Sequence, residues 1–280
     1  MKVKITSDST CDLSPELLEK YNIDLLPVTV TLGERDGKDM VDIHPEDIYS
    51  FVDETGVLPK TSAVNATDYR LFFSQEVAKG YSVVHFCLGS GFSSTCQNAY
   101  FAAKAFQNVY IVDSQNLSGG QGLLVLKGAE MAQQGYSADR IAEVCSEAVD
   151  KVEASFVVDS LDYLHKGGRC SGASKLIGHI FHVHPYLKMV DGTLIVYKKP
   201  RGPMKVALDE QVKELKAVIS RVDLDHVMIT HAGLDKDKED YLKAEVAKLV
   251  PENIISVTRA GSVIASHCGY GTVGILYILK

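Results

Sequence analysis

Apolar and β-branched residues gather into short runs at residues 2–6, 83–88 and 109–112. Runs of this length suit strands buried on both faces. Helical candidates follow the last two runs at residues 94–106 and 117–134, and a third lies at 138–152. This rhythm predicts a mostly parallel sheet with covering helices. In such sheets ligands sit where loops leave the carboxyl ends of strands. Here those loops read SDST (residues 7–10), GSGFSST (89–95) and DSQNLSGGQG (113–122), all rich in hydroxyls and glycines.

Near residue 154 the pattern changes. ASFVVDS is a strand candidate, LDYLHKGGR a helix ending at Gly167 and Gly168, and PYLKMVDGTLIVYKK a hairpin turning at Asp191 and Gly192. A helix at residues 206–222, a strand at 225–233, a helix at 236–249 and strands at 254–258 and 273–279 complete the chain. The expected fold class is therefore α/β with two domains. Residues 1–153 form a mostly parallel sheet with covering helices, and residues 154–280 an α+β unit with antiparallel pairing.

With 280 residues, 46% of them hydrophobic, the chain can bury a substantial core. A formal charge of -7, a pI near 5.7 and the absence of any long Lys or Arg run argue against nucleic acid or an anionic membrane as the main partner. The first ten residues lack a long apolar stretch and no later segment reaches membrane-spanning length, so a cytoplasmic location is expected. The six cysteines are scattered without a C-x-x-C pair and read as small buried hydrophobes. His179, His182 and His184 invite a metal reading, but no carboxylate or cysteine sits at a matching spacing, and packing is the preferred role.

The candidate chemistry starts in the loop before the helix at 94. Gly89 and Gly91 supply the first two glycines of a dinucleotide fingerprint, and Asp113 stands where a ribose-binding acid belongs, but the third glycine position is Ser94. One reading is thus a nucleotide-dependent oxidoreductase. The other takes Ser93, Ser94 and Thr95 as hydroxyl donors beside free backbone N–H groups, a cradle for a smaller anion such as a carboxylate. A single N-cap explains one of these hydroxyls and leaves the rest unexplained. Thr61 and Ser62, just before a helix starting at Thr67 or Asp68, would alone be a plain turn. His267 lies among glycines in AGSVIASHCGYGTVG, where a backbone can approach a ligand closely and an imidazole can face an anion. Neither a G-x-S-x-G elbow nor a G-x-x-x-x-G-K-[ST] loop occurs, so self-contained catalysis has little support.

Taken together, SDSTCDLS, KTSAVN, LGSGFSSTCQNA, VDS, DSLDYLHKGGR, KKPRG and SHCGYG resemble the DegV family across nearly the whole chain. That family comprises fatty-acid-binding proteins that serve as the lipid-carrying subunit of bacterial fatty acid kinase. The resemblance implies a fatty acid lying between two α/β domains, its carboxylate held by Thr61, Ser62 and Ser93 and near His267. It also implies no cofactor, no turnover by this chain alone, transient contact with a membrane surface, and docking of a kinase subunit at Arg169 and Arg201, beside Lys166, Lys198 and Lys199. The phosphorylated acyl product would feed phospholipid synthesis. The sequence departs from the family pattern where TSAV replaces T-S-Q-P, where Ser94 replaces a glycine, and at Tyr270, where proline is common. Burying about 14 methylenes at roughly 0.8 kcal/mol each would supply most of the affinity. Hydrogen bonds to the head would set its direction. A third reading is a regulatory module for another carboxylate or phosphate, with a pocket too short for an acyl tail.

Overall fold

The computed structural model describes residues 2–170 and 183–280. β1 (Lys2–Asp8) leads through α1 (Pro15–Tyr21) to β2 (Asp24–Leu26), then to β3 (Thr29–Leu32) and β4 (Arg35–Lys38). α2 (Pro45–Thr55), β5 (Lys60–Ser62), α3 (Ala66–Ala78), β6 (Tyr81–Cys87), α4 (Thr95–Ala103) and β7 (Val109–Asp113) follow. A four-stranded sheet in the order β2-β1-β6-β7 is parallel throughout. Alternation along β6 assigns its faces: Val83 and Cys87 pack with Tyr69, Phe73 and Ala99 of α3 and α4, while Val84 and Phe86 face the opposite core. The early strand run and the runs at 83–88 and 109–112 are thus found as expected.

β3, β4 and β5 form a separate antiparallel sheet in the order β4-β3-β5, which the hydrophobic pattern does not announce. Each has only three or four residues, and RDGK and KTS carry no apolar alternation. Thr61 and Ser62 therefore lie in a strand, not in a turn; Thr61 stands opposite Val30.

The chain continues through α5 (Gly119–Gln133) and α6 (Ala138–Ala148) into β8 (Val152–Val157) and α7 (Asp162–Lys166). Next come β9 (Tyr186–Val190), β10 (Thr193–Lys198), α8 (Met204–Val218), β11 (Val222–Ala232), α9 (Lys236–Ala247), β12 (Ile255–Arg259), α10 (Ser262–Cys268) and β13 (Thr272–Leu279). Six strands pair in the order β10-β9-β8-β13-β11-β12. The pairing is antiparallel except between β11 and β12, where α9 serves as the crossover that a parallel pair needs. The β9–β10 hairpin turns at Asp191 (φ 47°) and Gly192 (φ 68°), both left-handed as a two-residue primed turn requires.

Two helices lock the sheets together. α5 packs against β1 and β6 of the first sheet and against β8, β11 and β13 of the second. Its opening glycines permit this: a Cβ on Gly119 would stand 2.5 Å from Thr230 Oγ1, and one on Gly122 would stand 2.6 Å from the Cys11 carbonyl. In return α10, from the last part of the chain, packs against α2, β3 and β5. Val263 and Ala265 join the core built by Val30, Ile48 and Phe73. The far face of the second sheet is covered by α8 and α9 through Leu208, Leu215 and Leu242. Among the described residues, no helix is long and apolar enough to cross a membrane.

Candidate ligand-binding site

β5, the loop into α4, the segment after α7 and the end of α10 converge on one cavity of about 180 Å³. Thr61, Ser62, Ser93, Ser94, Thr95, Arg169 and His267 all line it, so four stretches distant in sequence meet there. The remaining wall is apolar, with Leu88, Phe92, Leu164 and Ile264 among its members. Arg201 is exposed beyond β10 and does not line the cavity.

His267 Nε2 lies 2.8 Å from Thr61 Oγ1, while Nδ1 is buried with no hydrogen-bond partner among the described residues. Burial, reinforced by the charge of Arg169, pushes the His267 pKa down to about 4, so the imidazole is neutral near pH 7. A neutral ring has one N–H, and stranding a buried donor costs more than stranding one acceptor. We assign the proton to Nε2 on this network. Thr61 then accepts from His267 and keeps its own proton to donate into the cavity.

Thr95 differs from its neighbours. Its Oγ1 is 2.8 Å from the hydroxyl of Tyr69, which donates in turn to Asp8. Asp8 also accepts from the Leu88 N–H at 2.9 Å. With Tyr69 committed to the carboxylate, the Thr95 proton must run to Tyr69, and Thr95 has none left for a ligand. Ser93 Oγ accepts from the Thr95 N–H at 3.2 Å and retains its proton. Ser94 is the cap position of α4 but makes no side-chain capping bond, and it is exposed. Asp8, His85 and Cys87 lie close enough together to suggest a metal set. Their donor atoms are already engaged: His85 contacts Thr6 at 2.9 Å through Nδ1 and Asp8 at 3.2 Å through Nε2.

The helix that carries His267 is clamped from the other half of the chain. Asp39 accepts from the hydroxyls of Ser9 and Ser262 at 2.6 Å each and from the Val263 N–H at 3.2 Å. Asp12 accepts from the Ser118 hydroxyl at 2.5 Å and the Gly261 N–H at 2.8 Å. Burial raises the Asp12 pKa to about 8, against the opposing pull of its two donors. The folded protein thus holds a proton that the unfolded chain has released, and stability conferred here is present in full below about pH 4 and is lost as pH rises through about 8. Thermal unfolding of the native protein should therefore show a decline in Tm between pH 5 and pH 8 that is smaller in Asp12→Asn. Parallel pH profiles for the two proteins would refute this contribution.

Several sequence expectations change. The SDST loop is buried and lines no part of the cavity: Ser7 donates to the Phe86 carbonyl and Thr10 to Gln121. Gly89 and Gly91 do not open a nucleotide site. A Cβ on Gly89 would stand 2.8 Å from the Asn116 nitrogen, and one on Gly91 would run into the Gly192 carbonyl of the hairpin turn. Asp113 Oδ1 is occupied by the N–H groups of Ser90 and Gln115 at 3.1 and 3.0 Å. The oxidoreductase reading loses its glycines and its acid to internal packing. Lys198 does not belong to a free basic patch, because Glu210 and Glu214 hold it at 3.1 and 2.5 Å. Tyr270 packs edge-on against Tyr49 with centroids 5.4 Å apart and lies outside the cavity lining, so that departure does not touch the head-group residues. His184 is 3.4 Å from Asp159, and His179 and His182 lie outside the described residues. Sequence reasoning missed the aliphatic wall and the two carboxylate clamps. Of the two clamping acids, Asp12 does fall within SDSTCDLS, one of the stretches that carry the family resemblance.

Comparison with known proteins agrees with this architecture. Residues 2–280 match the family model described as "Uncharacterised protein, DegV family". A DegV domain-containing protein of Caldanaerobacter subterraneus subsp. tengcongensis is 31% identical, covering 99% of this chain and 98% of that protein. The solved structure of a DegV family protein from Thermus thermophilus, described for its fatty acid binding, superposes with a TM-score of 0.92 at 28% identity over the full length of both chains. A stearic acid-binding protein from Eubacterium ventriosum gives a TM-score of 0.85 at 28% identity, covering 99% of this chain and 98% of that one. Matched from residue 2 to residue 280 and sharing its architecture with solved members, this chain belongs to the DegV family.

Proposed function

We propose that this protein binds a long-chain fatty acid, with the carboxylate at Thr61 and Ser93 and the acyl chain against the aliphatic wall. The observation that carries this reading is the mixed lining of the cavity: the Thr61 and Ser93 hydroxyls, each with a proton to donate, share it with a described wall made mostly of aliphatic and aromatic side chains. Such a site gives the tail the affinity and the hydroxyls the orientation. Fatty acid binding by the similar Thermus thermophilus protein supports the ligand class.

The protein presents the bound carboxylate to a kinase partner for acyl-phosphate formation in phospholipid synthesis, and has no turnover of its own. It works in the cytoplasm, with transient contact at a membrane surface where the lipid is collected. Exposed Arg169 at the cavity, together with exposed Arg201 and Lys199, gives the partner a basic face on an acidic protein. Arg201→Glu should leave fatty acid affinity unchanged while reducing acyl-phosphate formation about tenfold or more in a reconstituted kinase assay, the size expected when a docking charge is reversed. Loss of lipid binding in that variant would count against the assignment. The ligand class itself is tested by solvent extraction of the purified protein and mass spectrometry of the extract. A near-stoichiometric fatty acid is the expected result. A nucleotide, or an empty extract that persists after incubation with a fatty-acid panel, would overturn the reading.

A further inference from the structure

Thr95 lines the cavity beside Ser93, yet its hydroxyl is ordered from behind, by groups that do not line the cavity themselves. Asp8 closes β1, Tyr69 lies on α3 and Thr95 opens α4, so three elements meet in one hydrogen-bonded chain. All three side chains are buried, as is His85 beside them.

The proton directions follow from the partner that has no choice. The Leu88 N–H can only donate, which fixes Asp8 Oδ2 as an acceptor. Oδ1 is shared by the Tyr69 hydroxyl and by His85 Nε2, and the other ring nitrogen of His85 can accept from Thr6. Burial, reinforced by the charge of Asp8, holds the Tyr69 pKa well above that of an ordinary phenol, so Tyr69 keeps the proton it offers to the carboxylate. Its ring lies between Phe73 and His85, with centroids 5.5 and 5.3 Å away, which keeps the hydroxyl in line. Thr95 Oγ1 meets that hydroxyl at 2.8 Å and has to donate to it. What Thr95 turns towards the cavity is a lone pair.

We infer that Asp8 sets the hydrogen-bond polarity of the head-group pocket: acting through Tyr69, it makes Thr95 an acceptor. Thr95 then withholds a donor from a carboxylate and can accept from a head that carries N–H or O–H. Asp8 and Tyr69 are positioning residues, and the pocket they tune holds an acid less tightly than its hydroxyls would allow. That suits a protein that passes its cargo on. The inference rests on the fatty-acid reading of the cavity.

Asp8→Asn reverses the chain with little change of shape. The amide oxygen stays with the Leu88 N–H, and the amide nitrogen donates its two protons to Tyr69 and His85. Tyr69 then donates to Thr95, whose own proton is released to the cavity. Calorimetry on delipidated full-length protein compares decanoate with decanamide. In Asp8→Asn, decanoate affinity should rise about tenfold, the lower end for gaining one hydrogen bond to a charged group, while decanamide affinity falls about threefold. A merely structural role would weaken both. Thr95→Val should keep decanoate affinity within about twofold of native, and combining it with Asp8→Asn should abolish the gain. Decanoate binding that is unchanged or weaker in a folded Asp8→Asn overturns the inference, as does a loss of about tenfold in Thr95→Val. Should Asp8→Asn not fold, Tyr69→Phe, which removes the acceptor of the Thr95 proton, must show a rise in decanoate affinity of about threefold or more, and its absence is equally decisive. A native protein that binds neither decanoate nor hexadecanoate refutes the fatty-acid reading, and the role of Asp8 with it.

Discussion

Replacing Thr61 with valine is expected to weaken fatty acid binding by about ten- to a hundredfold, the range for losing one hydrogen bond to a charged group. Valine preserves the shape and the β-branching that suits β5, so the strand pairing with Val30 stays intact. What disappears is the hydroxyl that accepts from His267 and donates into the cavity. The imidazole would then have neither nitrogen paired among the described residues, because Nδ1 already lacks a partner there. His267→Ala should weaken binding by a smaller factor: Thr61 keeps its donor but loses the group that fixes its direction. Ser93→Ala acts on an independent donor. Calorimetric titration of the three variants, with Tm as a check on folding, decides the matter, and unchanged affinity in all of them would eliminate the head-group assignment.

Asp39→Ala should be the most damaging single change to stability outside the cores. Its carboxylate is the common acceptor for two buried hydroxyls and one backbone N–H. Leaving a buried donor unsatisfied costs about 1–3 kcal/mol. Three of them sum to roughly 3 kcal/mol or more, or a fall in Tm of about 10 °C for a chain of this size. Asp39→Asn retains one acceptor oxygen and should lose less. Equal Tm values for native and Asp39→Ala proteins would show that the clamp contributes nothing.

What could be read from the sequence followed burial. VVHFC and VYIV are predominantly apolar runs because both of their faces are covered, and they declare their strands. Asp191 and Gly192 declared the hairpin through turn chemistry. β3, β4 and β5 stayed hidden because strands of three or four residues at a small sheet leave no period to detect. The head-group residues were legible through resemblance, since nothing local in KTS connects it with a histidine 206 positions away. Gly89 and Gly91 show the opposite failure. Their spacing suggested a phosphate, whereas the atoms that demand glycine there belong to Asn116 and Gly192. A glycine in sequence reports that something comes close, without saying what.

The exchange of helices between the sheets constrains how the molecule can come apart. α5 leaves the early part of the chain to serve the second sheet, and α10 returns from the end of the chain to complete the core around β3. Cutting near residue 152 would strip each fragment of a helix its partner sheet requires, so the fragments should not be independently stable. Cooperative unfolding as a single unit is the corollary. Traffic of any occupant through the interior must then rely on side-chain rotation and loop fraying on the scale of a few residues, because a wholesale hinge between the sheets would tear both helices from their seats.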